Sequence, residues 1–96
     1  MKNYPNPFYP HSNSRQNQTI ISWSAPDNLQ DLKLDIYNIK GQKVKSFACQ
    51  RRDGEWQDLI WDGTDKNQRP VASGVYLYQL NAKQLQSKPA KMLLLK

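Results

Sequence analysis

Apolar residues in this chain recur at every second position in short runs, and each run stops at a cluster of Gly, Pro, Asn or Asp. A period of two belongs to strands, because successive side chains of an extended backbone point to opposite faces. No stretch carries the three-to-four spacing of a helix, so the pattern predicts strands joined by turns. Thr19 to Ser24 (TIISWS) is the first clear strand, ended by Pro26, Asp27 and Asn28. Leu32 to Asn38 follows, with Leu32, Leu34 and Ile36 on one face and Lys33, Asp35 and Tyr37 on the other, as in a half-buried antiparallel strand. Asn38 to Gln42 then supplies a tight turn in which Gly41 takes a positive φ, so Lys43 to Cys49 is expected to return as a hairpin. Its apolar positions Val44 and Phe47 are three apart, which breaks alternation and predicts a bulge.

Glu55 to Trp61 reads as the next strand, with Leu59 and Trp61 on one face. From Asp62 to Gly74 the residues are turn formers throughout, and the segment is expected to be a structured loop whose shape Asp62 and Asp65 fix by accepting backbone amides. Val75 to Leu80 places Tyr76, Tyr78 and Leu80 opposite Val75 and Leu77. Ser87 to Leu95 is the last strand, and its continuous MLLL predicts burial on both sides. The Pro-rich start, Tyr4 to Tyr9, is expected to lie extended along a sheet edge as a seventh strand, where proline is tolerated. The fold class that follows is all-β: an immunoglobulin-like two-sheet antiparallel sandwich of about seven short strands.

At 96 residues and 11.2 kDa the chain is expected to be one domain, with an extended start and loop over 1–18 and a sandwich body over 19–96. Its one cysteine, Cys49, excludes an intrachain disulfide and a cysteine-built zinc site, and reads as a small apolar strand residue. Its one histidine, His11, sits in the polar run from His11 to Gln18 and reads as a surface loop residue. No apolar run approaches the length of a membrane span, and no signal-peptide pattern opens the sequence. Net charge is +6, unevenly placed: residues 1–65 hold eight basic and eight acidic side chains, whereas Lys66, Arg69, Lys83, Lys88, Lys91 and Lys96 follow with no acid among them. That imbalance fits an anionic partner, whether lipid headgroup, acidic polysaccharide, acidic protein groove or nucleic acid. It equally fits lysines that solubilise strands and guard an exposed edge.

Few residue patterns carry chemistry. Asp62, Asp65 and Asn67 resemble a cation loop only in composition, because their spacing lacks the alternating acids and distal Glu of a calcium loop, and a structural turn is the better reading. Glu55 and Asp58, three apart on a strand, point to opposite faces and cannot flank one bond. Trp23, Trp56 and Trp61, with five tyrosines, suit a core better than a stacking platform, and Trp56 is the one expected to be exposed. Phosphate-binding glycine motifs and nucleophile elbows are missing, so the residues describe a binding or targeting module, with no catalytic residue, metal or cofactor.

Four segments together, NYPNPF at Asn3 to Phe8, IYNIKGQKV at Ile36 to Val44, WDGTDKNQRPVASGVYLYQL at Trp61 to Leu80 and KMLLLK at Lys91 to Lys96, resemble the C-terminal sorting domain of type IX (Por) secretion cargo. That group is close to the immunoglobulin-like domain of flagellar hook-capping proteins. The resemblance implies a non-catalytic tail that directs an N-terminally fused cargo through the outer-membrane secretion machinery to the cell surface, as part of a larger exported precursor. Its implied partners are that machinery, a sorting peptidase and an anionic lipopolysaccharide, with no nucleic acid expected. It places the recognition elements on Gly74 and Tyr76 of the GVY motif and on Lys91, Met92, Leu93, Leu94, Leu95 and Lys96. The edge and lysines of the last strand are expected to pair with a groove of the machinery. The alternative is an immunoglobulin-like module that binds a glycan or protein, or self-associates as a structural domain. Members of the resembled family carry Gly where Gln68 stands, so Asn67 or Gln68 is expected to enter the left-handed region. Tyr9 and His11 also depart from the usual Asn-Pro-Thr continuation.

Overall fold

A computed structural model describes residues 1–10, 18–23, 31–49, 57–83 and 86–95. Among these described residues seven strands form two antiparallel sheets: β1 (Lys2–Tyr4), β2 (Thr19–Trp23), β3 (Lys33–Asn38), β4 (Lys43–Ala48), β5 (Gln57–Trp61), β6 (Gly74–Asn81) and β7 (Ala90–Leu94). One sheet has the order β1-β2-β5 and the other β4-β3-β6-β7. The all-β sandwich expected from the alternation is therefore the fold observed.

The pleat decides which side chains meet between the sheets. Ile21, Trp23 and Trp61 come from the three-stranded sheet, and Leu34, Ile36, Tyr76, Tyr78, Leu80, Met92 and Leu94 from the four-stranded one, all buried. Leu32, just ahead of β3, and Phe8, ahead of β2, complete this core, with Val44, Phe47 and Leu59 packed at its margin. Trp61, Phe8 and Tyr76 form its aromatic centre, with ring centroids 5.5 Å apart in both the Phe8–Trp61 and Trp61–Tyr76 pairs. The indole of Trp61 buries its one polar group by donating Nε1–H to the carbonyl of Thr64 at 2.9 Å.

The expected bulge is present in the β3–β4 hairpin. Ile36 faces Lys45 and Tyr37 faces Lys43, so Val44 is the extra residue. Gly41 in the turn has φ 83°. The bulge has a consequence that alternation alone hides. Lys43 and Ser46, an odd number of residues apart, now lie on the same outer face and both reach Asp35. Ser46 Oγ donates to Asp35 Oδ1 at 2.5 Å, Asn81 Nδ2 to Oδ2 at 2.6 Å, and Lys43 Nζ lies 3.7 Å from Oδ2. Asp35 is thus on the outward side as the sequence implies, yet only 3% exposed, because three polar neighbours close over it and supply the hydrogen bonds a buried carboxylate requires.

Two strand expectations need correction. The last strand begins at Ala90, not Ser87, and it is buried on one face only: Met92 and Leu94 point inward while Leu93 and Leu95 are half-buried. The seventh strand is Lys2–Tyr4, not Tyr4 to Tyr9, and it pairs with β2. The reason is covalent: Pro5 and Pro7 have no N–H to give a ladder, so the main-chain pairing stops at Tyr4.

Beyond Tyr4 the chain crosses between the sheets. Thr19 Oγ1, fully buried, donates to the Pro5 carbonyl at 2.9 Å and accepts from Asn3 Nδ2 at 3.1 Å. Asn3 Oδ1 accepts from the Tyr78 hydroxyl at 3.0 Å, tying β1 of one sheet to β6 of the other. Phe8 then drops into the core with no exposed surface and forms a parallel bridge to Leu94. We expect Phe8→Ala to destabilise the fold by about 3 kcal/mol, the usual cost of truncating a fully buried aromatic, and Tyr4→Ala, 77% exposed, to change it little. Urea denaturation of the two variants checks this, and equal effects would contradict the assigned role of Phe8.

Candidate functional site

The residues singled out by the sequence converge on one end of the four-stranded sheet. β6 and β7 pair with Gly74 opposite Leu94, Val75 opposite Leu93, Tyr76 opposite Met92 and Leu77 opposite Lys91. The GVY motif and the terminal KMLLL therefore lie side by side, although about seventeen residues separate them in sequence. The N-terminal NYPNPF joins them from the other side of β7. Phe8 N–H donates to the Leu93 carbonyl and Leu95 N–H to the Phe8 carbonyl, both at 3.0 Å. Leu93 N–H donates to Asn6 Oδ1 at 2.9 Å, and Asn6 Nδ2 to the Lys91 carbonyl at 3.4 Å. The edge of β7 expected to be open to a partner is thus occupied by the chain's own Asn6 and Phe8.

The individual residues divide by role. Tyr76 is buried, and its hydroxyl donates to the Ala72 carbonyl at 2.6 Å, a phenol bonded to backbone four residues upstream as in the tyrosine corner of immunoglobulin sandwiches. Burial raises its pKa. Gly74 has φ 151°, a conformation that side-chain residues avoid, with open space where a Cβ would stand, so the backbone alone demands glycine there. Met92 and Leu94 are core. Lys91 is exposed on the outer face beside Leu77, and Leu93 and Leu95 are half-buried there. Lys96, like His11, Glu55 and Trp56, lies outside the described residues.

The loop ahead of Gly74 is fixed by its two acids, as expected. Asp62 Oδ1 accepts from the Thr64 amide and hydroxyl at 3.2 and 2.6 Å, and Asp65 Oδ1 from the amides of Asn67 and Arg69 at 2.8 and 3.0 Å. The main chain adds Asp65 N–H to the Arg69 carbonyl at 2.8 Å and Val71 N–H to the Gly63 carbonyl at 3.0 Å. Gln68 takes φ 64°, the left-handed position foreseen where the resembled family has glycine. Gly63 serves packing: a Cβ there would lie 2.8 Å from Pro10 Cγ and 3.2 Å from Leu94 Cδ1, so the glycine lets the N-terminal segment close onto the loop. Lys45 Nζ, carried inward by the bulge, binds Thr64 Oγ1 at 3.3 Å and the Asp65 carbonyl at 3.4 Å. Beside Tyr76 this leaves a shallow cleft of about 430 Å³ lined by Val44, Lys66, Val71 and Ala72.

Among the described residues the basic excess does not gather into one patch. Lys66 and Arg69 sit on the loop before β6, Lys83 and Lys88 on the connection between β6 and β7 at the far end of the sheet, and Lys91 between them, all exposed. Among the described residues no group of three or more His, Cys, Asp or Glu side chains is placed to hold a metal ion. Cys49 is half-buried with its Sγ donating to the Phe47 carbonyl at 3.7 Å, and burial pushes the thiol up to about 11.

The amides of Arg69 and then Asn67 hold the Asp65 carboxyl below its usual value. A depressed carboxylate stabilises the fold above its unfolded pKa of about 4, and that contribution is lost as pH falls through the lower folded value. Asp65→Asn should therefore flatten the acid limb of the urea midpoint below about pH 4; an unchanged limb would remove Asp65 from the loop's stability. Gln68→Gly should raise the midpoint, relieving about 1 kcal/mol of left-handed strain against a smaller entropic loss, and a fall would show that the Gln68 side chain holds the loop.

Two comparisons bear on identity. The solved structure of PorZ, described as an essential bacterial surface component of the type-IX secretion system of human oral-microbiomic Porphyromonas gingivalis, superposes over 99% of this chain with a TM-score of 0.64 at 17% identity. The match covers 11% of the PorZ chain, and at this identity it shows a shared fold. No curated protein sequence matches. The family model of the FlgD Ig-like domain matches residues 11–86, more than three quarters of the sequence and all of β2 to β6, so the chain belongs to the FlgD Ig-like domain family.

Proposed function

We propose that this domain is a non-catalytic sorting signal that is recognised as a fold, directing an attached cargo through type IX secretion machinery to the cell surface. The observation that carries the reading is convergence: NYPNPF, GVY and KMLLL, far apart in sequence, meet at β7, where Asn6 and Phe8 hold one side and Gly74 and Tyr76 the other. A short linear signal needs no such assembly, whereas a signal read as a surface does. The immunoglobulin-like fold shared with part of a type IX surface component is consistent with an envelope location. Residues bearing the contact are the outward Lys91, Leu93 and Leu95, with Lys96 following them in sequence, and Gly74, Tyr76, Met92 and Leu94 shape the strand beneath. The outer-membrane machinery, a sorting peptidase and an anionic lipopolysaccharide are the partners this role entails.

A second reading, an immunoglobulin-like binding or assembly module, is favoured by one specific feature. Tyr4 pairs with Ile20 and Ile20 with Ile60, so three exposed apolar side chains form a continuous row across the outer face of β1-β2-β5. Such a row is the kind of surface that protein interfaces use.

The two readings separate in one experiment. A signal-peptide-bearing fluorescent protein fused ahead of residues 1–96 is expected at the surface of a host with a type IX system and in the periplasm of a secretion-deficient strain. Lys91→Glu with Lys96→Glu should lower delivery roughly tenfold, the scale of an opposed charge at a contact, with circular dichroism unchanged. Retention in both strains would overturn the sorting role and leave the apolar row, tested by Ile20→Lys, as the working surface.

A further inference from the structure

Occupation of the β7 edge by Asn6 and Phe8 has an unusual chemistry. Position 6 contributes no main-chain pairing to β7; its side-chain amide stands in for a peptide group, accepting from the Leu93 N–H and donating to the Lys91 carbonyl. The prolines on either side of it have no N–H to offer. Only Phe8 pairs as a strand residue would, through two main-chain bonds. Asn6 is exposed and Phe8 wholly buried, so the segment is held by one aromatic anchor, two main-chain hydrogen bonds and an amide surrogate.

From this arrangement we propose that the outer edge of β7 is an acceptor surface for an extended peptide in trans, and that Asn6–Phe8 is its resident occupant. The segment in place shows what the surface takes: an amide side chain, a proline, then an aromatic that fills the socket against Trp61. A competing segment that offers the same amide and aromatic takes up the same bonds to Leu93, Lys91 and Leu95. Exposed Lys88 and Lys91 beside the edge favour a segment flanked by Asp or Glu. The biological use of such an exchange rests on the sorting reading, since it is how β7 becomes reachable; the exchange itself is measured without export, so either can fail alone.

The full chain, labelled with nitrogen-15, is titrated with a synthetic peptide of residues 1–10 carrying a nitroxide at its C-terminus. The tethered segment competes at an effective concentration on the order of millimolar, so the peptide is added in large excess. Paramagnetic broadening is expected at the amides of Leu93 and Leu95 and not at those of Lys33 and Ala48, which pair with each other at the end of the sheet away from Gly74 and Leu94. The same peptide with Phe8→Ala should have no effect. In the folded Asn6→Ala chain, half-broadening should need roughly fivefold less peptide, the worth of about one hydrogen bond. No broadening at β7 in either chain, broadening spread evenly over the molecule, or equal broadening by the Phe8→Ala peptide would each overturn the proposal. Amide hydrogen exchange adds an independent reading: Phe8, Leu93 and Leu95 should exchange faster than Leu34 and Ile36, and equal rates would mean that the edge opens only with the whole fold.

Discussion

The sandwich depends on the insertion of Phe8 between its sheets. Each sheet buries one face, but the two are joined in sequence by long connections, and what aligns them is a segment that belongs to both. Lys2–Tyr4 extends the three-stranded sheet, Asn3 reaches across to Tyr78, and Phe8 seats against Trp61 while its backbone caps β7 of the other sheet. Trp61 is fixed in turn by Thr64, in the loop that ends in the Tyr76 corner. Aromatic packing at the centre and loop geometry at the rim are therefore one unit, and Gly63 is the point at which both touch the N-terminal segment.

Strand identity was legible because burial on one face imposes the alternation that LKLDIYN displays, and because TIISW and VYLYQL are short runs rich in branched and aromatic residues bounded by turn formers. The bulge was legible too, since Val44 and Phe47 fall out of step. Main-chain pairing beyond the neighbouring strand was not. That β7 is capped by Asn6 and Phe8 follows from contacts more than eighty residues apart, which leave no local period to read. Alternation likewise put Asp35 with Lys33 and Tyr37 on the outer face, correctly, but implied solvent; burial came from Ser46, Asn81 and Lys43, brought there by the bulge and by pairing with β6. Sequence also showed the surplus of lysines without showing its spread along a sheet, because the length of β6 separates Lys66 and Arg69 in the loop before it from Lys83 and Lys88 in the connection after it.

The motifs that most resemble a sorting signal have physical duties of their own. Gly74 supplies a backbone conformation, Tyr76 pins the loop, Asn3 links the sheets and Phe8 fills the core. Such residues would be retained in any domain built this way, whatever it sorts or binds. Motif resemblance at these positions thus speaks mainly for the fold, which agrees with a family match over residues 11–86 and with a structural likeness at 17% identity.

Functional discrimination has to reside in side chains that the fold does not use. On β7 the pleat separates the two sets: Met92 and Leu94 hold the core, whereas Lys91, Leu93 and Leu95 face outward, with their backbone groups turned toward Asn6 and Phe8. Substitutions in the inward set change stability and recognition together and cannot tell them apart. The outward set can be altered while the sandwich stands, and its main-chain groups are reachable only when the N-terminal segment yields. The segment that completes the sandwich, by seating Phe8 in the core, is thus the same one that covers the main-chain groups of β7.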